Sequence, residues 1–308
     1  MYLAEPVAAR QTRSTNSAQR APPSSFGANT VRTIAVVNRK GGSGKTTTAV
    51  SLAAVLAEEG LSVLLMDLDP QASASAWLGE TSEDRGIFDA FVGTRDLTGL
   101  AVKTKIPRLD IVPSSPWLLT AEQTLKGDMS VGVFRATEKL AHDWDFVIID
   151  CPPSLSYLAV GALMAVREVI IPVEAHSIVL PGVAAVVHEM SRIQSDLNPH
   201  LRSPMIVACR LNRTIHARNV VEELDRIYGW RLARSTIRDS IKLAEAEAAR
   251  MPITTYAPQS GACVDYRLLA EEILGREEVA ERTPSGGSRL HRLLTRSLRV
   301  ATFKHRAV

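Results

Sequence analysis

Residues 33–48 are TIAVVNRKGGSGKTTT, and the order of residue types in this stretch decides the fold. An apolar, β-branched run predicts a buried strand over Thr33–Asn38, and the residues after the glycines predict a helix over Thr46–Glu59 that ends at Gly60. Glycines between a strand and a helix let several backbone N–H groups point at one anion, and the helix adds the positive end of its dipole. The stretch therefore predicts a phosphate-binding loop.

The last residues of this loop indicate which kind of phosphate compound it binds. The backbone N–H groups of Gly42, Ser43 and Gly44 form the predicted cradle. Lys45 is placed to hold β- and γ-phosphates, and the Thr46 hydroxyl is placed to bind Mg²⁺. This arrangement is the P-loop pattern, and it stands after a predicted strand and before a predicted helix, as the pattern requires.

A second lysine, Lys40, precedes the glycine pair, and Arg39 stands where the general pattern has its first glycine. The resulting sequence KGGSGKTT resembles the deviant Walker A loop of the ParA/MinD family of P-loop ATPases. The resemblance implies binding of ATP or ADP with Mg²⁺, and an ATP-dependent homodimer in which Lys40 reaches the partner's phosphates. It assigns catalytic roles to Lys40 and Lys45, and nucleotide contacts to Lys40, Gly41, Gly42, Ser43, Gly44, Lys45, Thr46 and Thr47.

Two carboxylates follow the next apolar run, LSVLLMD at residues 61–67, whose lack of polar alternation predicts a parallel strand buried on both faces. Asp67 and Asp69 stand at its carboxyl end, where nucleotide-dependent loops lie in doubly wound sheets. The sequence DLDPQ resembles switch I of ParA proteins, whereas the equivalent MinD loop lacks the Pro-Gln pair. The resemblance makes Asp69 catalytic, since it positions the attacking water, and places Asp67 on the γ-phosphate side. Capping of a turn is the alternative for either residue.

A third acidic residue, Asp150, ends the strand predicted within DFVIIDCPPS at residues 145–154. At the carboxyl edge of a strand its carboxylate can hold Mg²⁺ through a water molecule, while the chain turns on Pro152 and Pro153. The sequence IIDCPPSL resembles the Walker B strand and second switch of ParA proteins, which usually continue with Gly where this chain has Ser156. The predicted Mg²⁺ site consists of Thr46, Asp69 and Asp150.

Strands and helices alternate along most of the chain. Further helices are predicted at Gly86–Phe91, Thr120–Lys126 and Val179–Leu197, and further strands at Leu109–Val112, Val169–Val173 and Met205–Cys209. This alternation predicts an α/β fold with a doubly wound, mostly parallel sheet and helices on both faces. The predicted organisation is a disordered N-terminal arm at 1–30, a P-loop ATPase domain at 31–275, and a linker with a basic amphipathic helix at 276–308.

Positive charge is concentrated in three segments, although the whole chain has a net charge of only +3. Residues 1–32 have a net charge of +3, residues 288–308 have +6, and residues 202–242 hold nine basic side chains against four acidic ones. Such clustering suits nucleic-acid phosphates, and the resemblance implies nonspecific DNA contacts in the ATP-bound dimer. The stretches LNRTIHAR and IRDSIKLAEA make Arg213, Arg218, Arg238 and Lys242 the candidate DNA-binding residues. The alternative is a solvated helical face with ordinary ion pairs, and KLAEAE at 242–247 departs from the RLSEAP of ParA proteins.

Several other classes of protein are disfavoured by composition. The sequence has no apolar run of the roughly 20 residues that a membrane span needs, and its N-terminus does not resemble a secretion signal. Cys151, Cys209 and Cys263 lack the spacing of a zinc site, of a disulfide framework, or of a cluster-binding reductase of the nitrogenase iron-protein type. We therefore expect a cytoplasmic protein, and the DNA contacts that the resemblance implies would associate it with the nucleoid.

The sequence as a whole predicts a Mg²⁺-dependent ATPase of the ParA type that segregates chromosomes or plasmids, with a ParB-like partner that triggers hydrolysis. The main alternative is a MinD-like ATPase that cycles on a membrane. The DLDPQ sequence argues against this alternative. Residues 288–304 argue for it, because their leucines and arginines fall on opposite sides of a helical wheel. That predicted helix has two further roles open to it, docking on the body of the protein and adding DNA affinity.

Overall fold

The computed structural model describes residues 31–81, 84–140, 143–175 and 180–280. The predicted arm at 1–30 and the predicted C-terminal helix at 288–304 lie outside the described residues. The fold below is therefore that of the central part of the chain, which contains the phosphate loop, the three predicted carboxylates and the basic patch.

One sheet forms the centre of the molecule. Its strands in the described residues are β1 (Arg32–Val36), β2 (Val63–Asp67), β3 (Val102–Lys103), β4 (Leu109–Val112), β5 (Phe146–Asp150), β6 (Glu168–Glu174) and β7 (Met205–Cys209). Their order across the sheet is β3-β4-β2-β5-β1-β6-β7, and every neighbouring pair is parallel except β3 with β4. All five residues of β2, β5 and β7 are buried, which is why these strands are continuous apolar runs.

Helices cover both faces of the sheet. The helices of the described residues are α1 (Lys45–Glu58), α2 (Ser73–Trp77), α3 (Ile87–Phe91), α4 (Trp117–Leu125), α5 (Gly127–Glu138), α6 (Tyr157–Ala165), α7 (Leu180–Asp196), α8 (Ile215–Tyr228), α9 (Ile241–Ala248), α10 (Ile253–Tyr256) and α11 (Gly261–Ala280), with short 3₁₀ turns at Thr98–Leu100 and Gly229–Arg231. Helices α3 to α8 contribute to the apolar layer on one face, and α1, α2, α9, α10 and α11 contribute to the layer on the other.

The predicted elements agree with this architecture to within a few residues, and the predicted α/β class with a doubly wound, mostly parallel sheet is confirmed. The elements that were not predicted are β3, α2, α5, α6, the helices α8 to α11 and the two 3₁₀ turns. β3 is an exposed pair of residues, too short to show a period. α5 begins at a glycine and has a second one, Gly132, in its interior, where the backbone carbonyl of Phe91 approaches so closely that an added Cβ would lie 2.3 Å from it. α11 continues to Ala280, past the domain boundary predicted at 275.

Candidate functional site

The loop between β1 and α1 has the backbone that a phosphate cradle requires. Gly42 and Gly44 have φ angles of 71° and 90°, in the left-handed region that glycine adopts without strain. Gly44 is the N-cap residue of α1 and no side chain caps the helix, so the first N–H groups of α1 have no side-chain acceptor. A Cβ on Gly41 or Gly42 would have no atom within 4 Å, so the loop borders open space. The N-terminus of α1 can therefore receive an anion.

Lys45 is the first residue of α1, and its side chain is buried. Its ammonium donates a hydrogen bond to the backbone carbonyl oxygen of Lys40 at 3.3 Å. Burial lowers the pKa of Lys45, while the nearby carboxylates of Asp150 and Asp69 act in the opposite direction. The Lys45 ammonium therefore interacts electrostatically with both carboxylates. Thr46 and Thr47, the next two residues of the helix, are partly exposed at the same end of the sheet.

Asp150 ends β5 directly beside the loop and is completely buried. Neither of its carboxylate oxygens has a hydrogen bond of ordinary geometry, although the Thr46 hydroxyl lies close enough to act on the carboxylate. Burial raises the pKa of Asp150 well above its usual value, the Asp67 carboxylate raises it further, and the Thr46 hydroxyl and the Lys45 ammonium act in the opposite direction. An unpaired buried carboxylate is costly unless a cation compensates it. Asp150, Thr46 and the cradle therefore fit a Mg²⁺ ion with a nucleotide, since oxygen ligands and phosphates are what Mg²⁺ prefers.

Asp67 lies beside Asp150 in the parallel register of β2 and β5, but its carboxylate has a different environment. One oxygen accepts hydrogen bonds from the backbone N–H and the hydroxyl of Ser75 at 2.8 and 2.6 Å, and the other accepts from the backbone N–H of Asp69 at 3.1 Å. Burial nevertheless raises the pKa of Asp67 to about 6. The described hydrogen bonds of Asp67 thus hold together the loop that leads from β2 into α2, and its γ-phosphate role stays a prediction.

Asp69 lies in a tight turn of this loop. Its carboxylate accepts a hydrogen bond from the backbone N–H of Gln71 at 3.0 Å, and its backbone carbonyl accepts from the N–H of Ala72 at 2.8 Å. Ala72 closes the turn with a φ of 54°, a left-handed conformation that is unfavourable for a residue other than glycine. The Asp69 side chain is 8% exposed. The structure thus brings Asp69, Asp150 and Lys45 close enough together for both carboxylates to act on the Lys45 pKa.

Lys40 is half-exposed on the rim of the loop. Its ammonium forms an ion pair with one carboxylate oxygen of Glu174, the last residue of β6, and Arg210 donates to the other oxygen at 2.6 Å. Glu174 is buried under these two cations. The sequence analysis did not identify Glu174, although an acidic residue at the carboxyl end of a strand was the signal used for Asp67 and Asp150. Lys40 is therefore engaged within its own chain.

The basic patch at 202–242 is divided between the two ends of the sheet. α8 is 14 residues long, or about 21 Å, and leads from the carboxyl end of β7 back toward its amino end. The chain then returns along the edge of β7, where the N–H of Ala233 donates to Ile206 and that of Ile237 donates to Ala208. The carboxyl-end group consists of Arg210, Arg213, Arg218, Arg238 and Lys242, and the amino-end group consists of Arg202, Arg226, Arg231 and Arg234.

The four predicted DNA-binding residues all belong to the carboxyl-end group, and they differ in their partners. Arg213 and Arg218 are exposed at the start of α8 and have no acidic partner among the described residues. Arg238 instead forms two side-chain hydrogen bonds with Asp265, at 2.7 and 2.8 Å. Lys242 pairs with Glu245 on the surface of α9. Arg213 and Arg218 are therefore the most available of the four to an external anion.

The fold and the site together define a P-loop ATPase with a two-lysine phosphate loop. A family model described as an AAA domain matches residues 31–203. The chromosome-partitioning ATPase Soj of Thermus thermophilus is 38% identical over 252 residues, which are 81% of this chain and 98% of that protein. The sporulation initiation inhibitor protein Soj of Bacillus subtilis is 35% identical over 245 residues, 78% of this chain and 97% of that protein. The chain therefore belongs to the ParA/Soj family of partition ATPases.

Solved structures share this fold. Cobyrinic acid a,c-diamide synthase from Mycobacterium smegmatis, with a bound ATP analog and magnesium, superposes with a TM-score of 0.71 at 28% identity and covers 83% of this chain and 99% of its own. The septum site-determining protein MinD from Pyrococcus horikoshii, complexed with Mg-ADP, has a TM-score of 0.64 at 21% identity, covering 81% of this chain and 98% of its own. At that identity the MinD likeness shows the fold alone.

Proposed function

We propose that this ATPase works as a Mg²⁺-dependent switch: ATP joins two chains, the dimer binds DNA nonspecifically, and a ParB-like partner stimulates hydrolysis during chromosome or plasmid segregation. The observation that supports it most is the completely buried Asp150 carboxylate, which has no hydrogen bond of ordinary geometry and lies beside an open phosphate cradle. The partition ATPases among its relatives favour segregation over other uses of the same chemistry.

Each residue of the site has a defined part in this proposal. When bound, Mg²⁺ supplies positive charge that offsets the charge developing on the phosphates. Lys45 and the N–H groups of residues 41–47 orient the phosphates, Thr46 and Asp150 hold the metal site, and Asp69 orients the attacking water. Because Lys45 is buried, water is largely excluded from its ammonium, and the attraction between this group and a phosphate is strengthened.

Dimerisation depends on Lys40 in this proposal. For Lys40 to reach a partner's phosphates, its ammonium must leave Glu174. Because the Lys40 side chain is 51% exposed, solvent weakens its ion pair, and the buried Glu174 carboxylate keeps its hydrogen bond from Arg210 when Lys40 leaves. Phosphates of a second subunit can offset that loss, since they offer the ammonium a stronger acceptor.

DNA binding is assigned to the carboxyl-end group of basic residues, with Arg213 and Arg218 as its most available members. This group lies at the same end of the sheet as the phosphate loop, so one event at that end, dimerisation, can double the number of basic side chains that face DNA. Doubling the phosphate contacts raises the affinity steeply, because each contact releases counterions. This binding would place the protein in the cytoplasm on the nucleoid.

Fluorescence anisotropy with labelled duplex DNA tests this function. The parent is expected to bind with ATP and Mg²⁺ and not with ADP. Arg218→Glu is expected to weaken binding to every sequence, and to flatten the slope of log affinity against log salt by roughly 1.8, since each of two protomers loses one contact worth roughly 0.9. Arg202→Glu, the same charge change in the amino-end group, is the matched control and is expected to keep the parent's slope.

Two outcomes would contradict the DNA assignment. One is equal binding with ATP and ADP. The other is loss of binding on deletion of residues 288–308 together with normal binding by Arg218→Glu, because the basic C-terminal segment would then supply all the contacts.

The MinD-like alternative rests on the basic amphipathic pattern at 288–304. No helix in the described part of the chain is long and apolar enough to cross a bilayer. Sedimentation with anionic liposomes, with and without ATP, distinguishes the two functions. The partition proposal predicts no ATP-dependent sedimentation, and ATP-dependent sedimentation that the deletion abolishes would favour the alternative.

A further inference from the structure

A series of buried hydrogen bonds connects the Asp69 turn to the residues that follow β4. The hydroxyl of Ser114 donates to the backbone carbonyl of Asp69 at 2.7 Å, and the backbone N–H of Ser114 donates to the Ser75 hydroxyl oxygen at 2.9 Å. The Ser75 hydroxyl in turn donates to Asp67 at 2.6 Å. Ser75 and Ser114 are both completely buried. The segment after β4 is thus tied to both acidic residues of the switch loop.

The bond from Ser114 differs from the other bonds that the described residues make with Asp69. Those other bonds, with Asp67, Gln71 and Ala72, stay within three positions along the chain. Ser114 is 45 positions away in sequence and lies just after the carboxyl end of β4. Local bonds fix the shape of the turn, whereas the bond from Ser114 holds the turn against the segment that follows β4. A displacement of about 1 Å in a reacting group is enough to lower a rate strongly.

We infer that Ser114 is a positioning residue for Asp69, holding the Asp69 backbone so that its carboxylate meets the attacking water. The inference rests on the role proposed above for Asp69. Replacing Ser114 by Ala removes one hydrogen bond and keeps the bond from its N–H to Ser75. The Asp69 carbonyl remains paired with Ala72, so the fold loses little stability. Neither serine belongs to the phosphate loop, so nucleotide binding is retained.

The test is steady-state and single-turnover hydrolysis of Mg·ATP by Ser114→Ala. The turnover number is expected to fall about 2- to 10-fold, the change in a rate that corresponds to one ordinary hydrogen bond. KM for ATP is expected to stay within about 2-fold, because the loss falls on the hydrolytic step. Ser114→Thr keeps the hydroxyl and is expected to recover most of the rate. A purely structural role for Ser114 would not produce this split between turnover and KM.

Ser115→Ala is the matched control. Ser115 is the next residue, is equally buried, and its hydroxyl also donates to a backbone carbonyl, that of Asp84 at 2.8 Å. Ser115→Ala therefore loses the same hydroxyl group as Ser114→Ala but no contact with Asp69, and it is expected to turn over ATP at the parent's rate.

Asp69→Ala is measured in parallel, so that the two claims can fail separately. Suppose that Asp69→Ala is inactive. The inference about Ser114 is then wrong if Ser114→Ala turns over like the parent, or if Ser114→Ala and Ser115→Ala lose turnover equally, and the role of Asp69 stands in both cases. If Asp69→Ala itself turns over normally, the role proposed for Asp69 is wrong, and the inference falls with it.

Discussion

Replacing Asp150 by Asn is expected to stabilise the nucleotide-free protein and to remove its response to Mg²⁺ and ATP. The carboxylate is completely buried, and neither of its oxygens has a hydrogen bond of ordinary geometry. An amide of the same shape avoids burying a charge there. Function and stability therefore have opposite requirements at this position, as is common at sites that await a ligand.

The size of the effect follows from the burial. An unsatisfied buried polar group costs about 1–3 kcal/mol, and more when charged, but the amide is also unsatisfied, so only part of this cost is recovered. A net gain of about 1 kcal/mol raises Tm by roughly 2–4 °C in a domain of this size. Burial raises the pKa of Asp150 in the folded state above its unfolded value near 3.8. The parent therefore loses stability as the pH rises from that value through the folded pKa, and the gain of the variant grows over the same window.

Thermal unfolding measured with and without Mg²⁺ and a nonhydrolysable ATP analog provides the assay. With the ligand at 100 times its Kd, the parent is expected to gain about 2.7 kcal/mol in its free energy of unfolding, and Asp150→Asn is expected to gain far less. The variant is thus the more stable protein without ligand, and the parent is the more stable one with it. Asp145→Asn, at the exposed amino end of the same strand, is the control and should respond like the parent. A variant that is less stable than the parent without ligand, or one that keeps the full ligand response, would refute the reasoning.

Three further predictions concern the other parts of the site and the fold. Asp69→Ala should retain nucleotide binding and lose phosphate release, since the phosphate contacts remain while the water loses its positioning group; normal phosphate release would remove Asp69 from the site. In titrations with a fluorescent ATP analog, Lys45→Ala should lose binding and Lys40→Ala should keep it, and equal losses would contradict the separate roles. Gly161→Ala should lower the free energy of unfolding in denaturant by about 1–3 kcal/mol, because the new Cβ would lie 2.7 Å from the α5 backbone. Gly275→Ala on α11, which has open space around it, should raise that free energy by about 0.5–1 kcal/mol. Similar values for both variants would show that close packing is not the cause.

Much of the site was predictable because its signals are local in sequence. β1, the glycines and α1 occur within one stretch, and β2 and β5 each end at a carboxylate. Parallel pairing then requires Asp67 and Asp150 to lie side by side. These features depend on neighbouring residues and on the period of the strands, which a single sequence contains.

The features that were not predicted depend on contacts between distant residues. Ser114 contacts Asp69 across 45 positions, and nothing near Ser114 distinguishes it from Ser115. The basic patch looked continuous in sequence, but the 14 residues of α8 separate its two groups. Ion pairs also join residues that are distant in sequence. Arg238 pairs with Asp265, which lies on a helix that begins more than twenty positions later.

The most direct test of the ATP switch is the molecular mass of the protein in solution, measured by light scattering during size-exclusion chromatography. The chain has a mass of 33.5 kDa. With saturating ATP and Mg²⁺, Asp69→Ala is predicted to elute with the mass of two chains, and with ADP it is predicted to elute with the mass of one. The double variant that also has Lys40→Ala is predicted to stay at the mass of one chain with ATP. A single-chain mass for Asp69→Ala with ATP, or a two-chain mass for the double variant, would contradict the account.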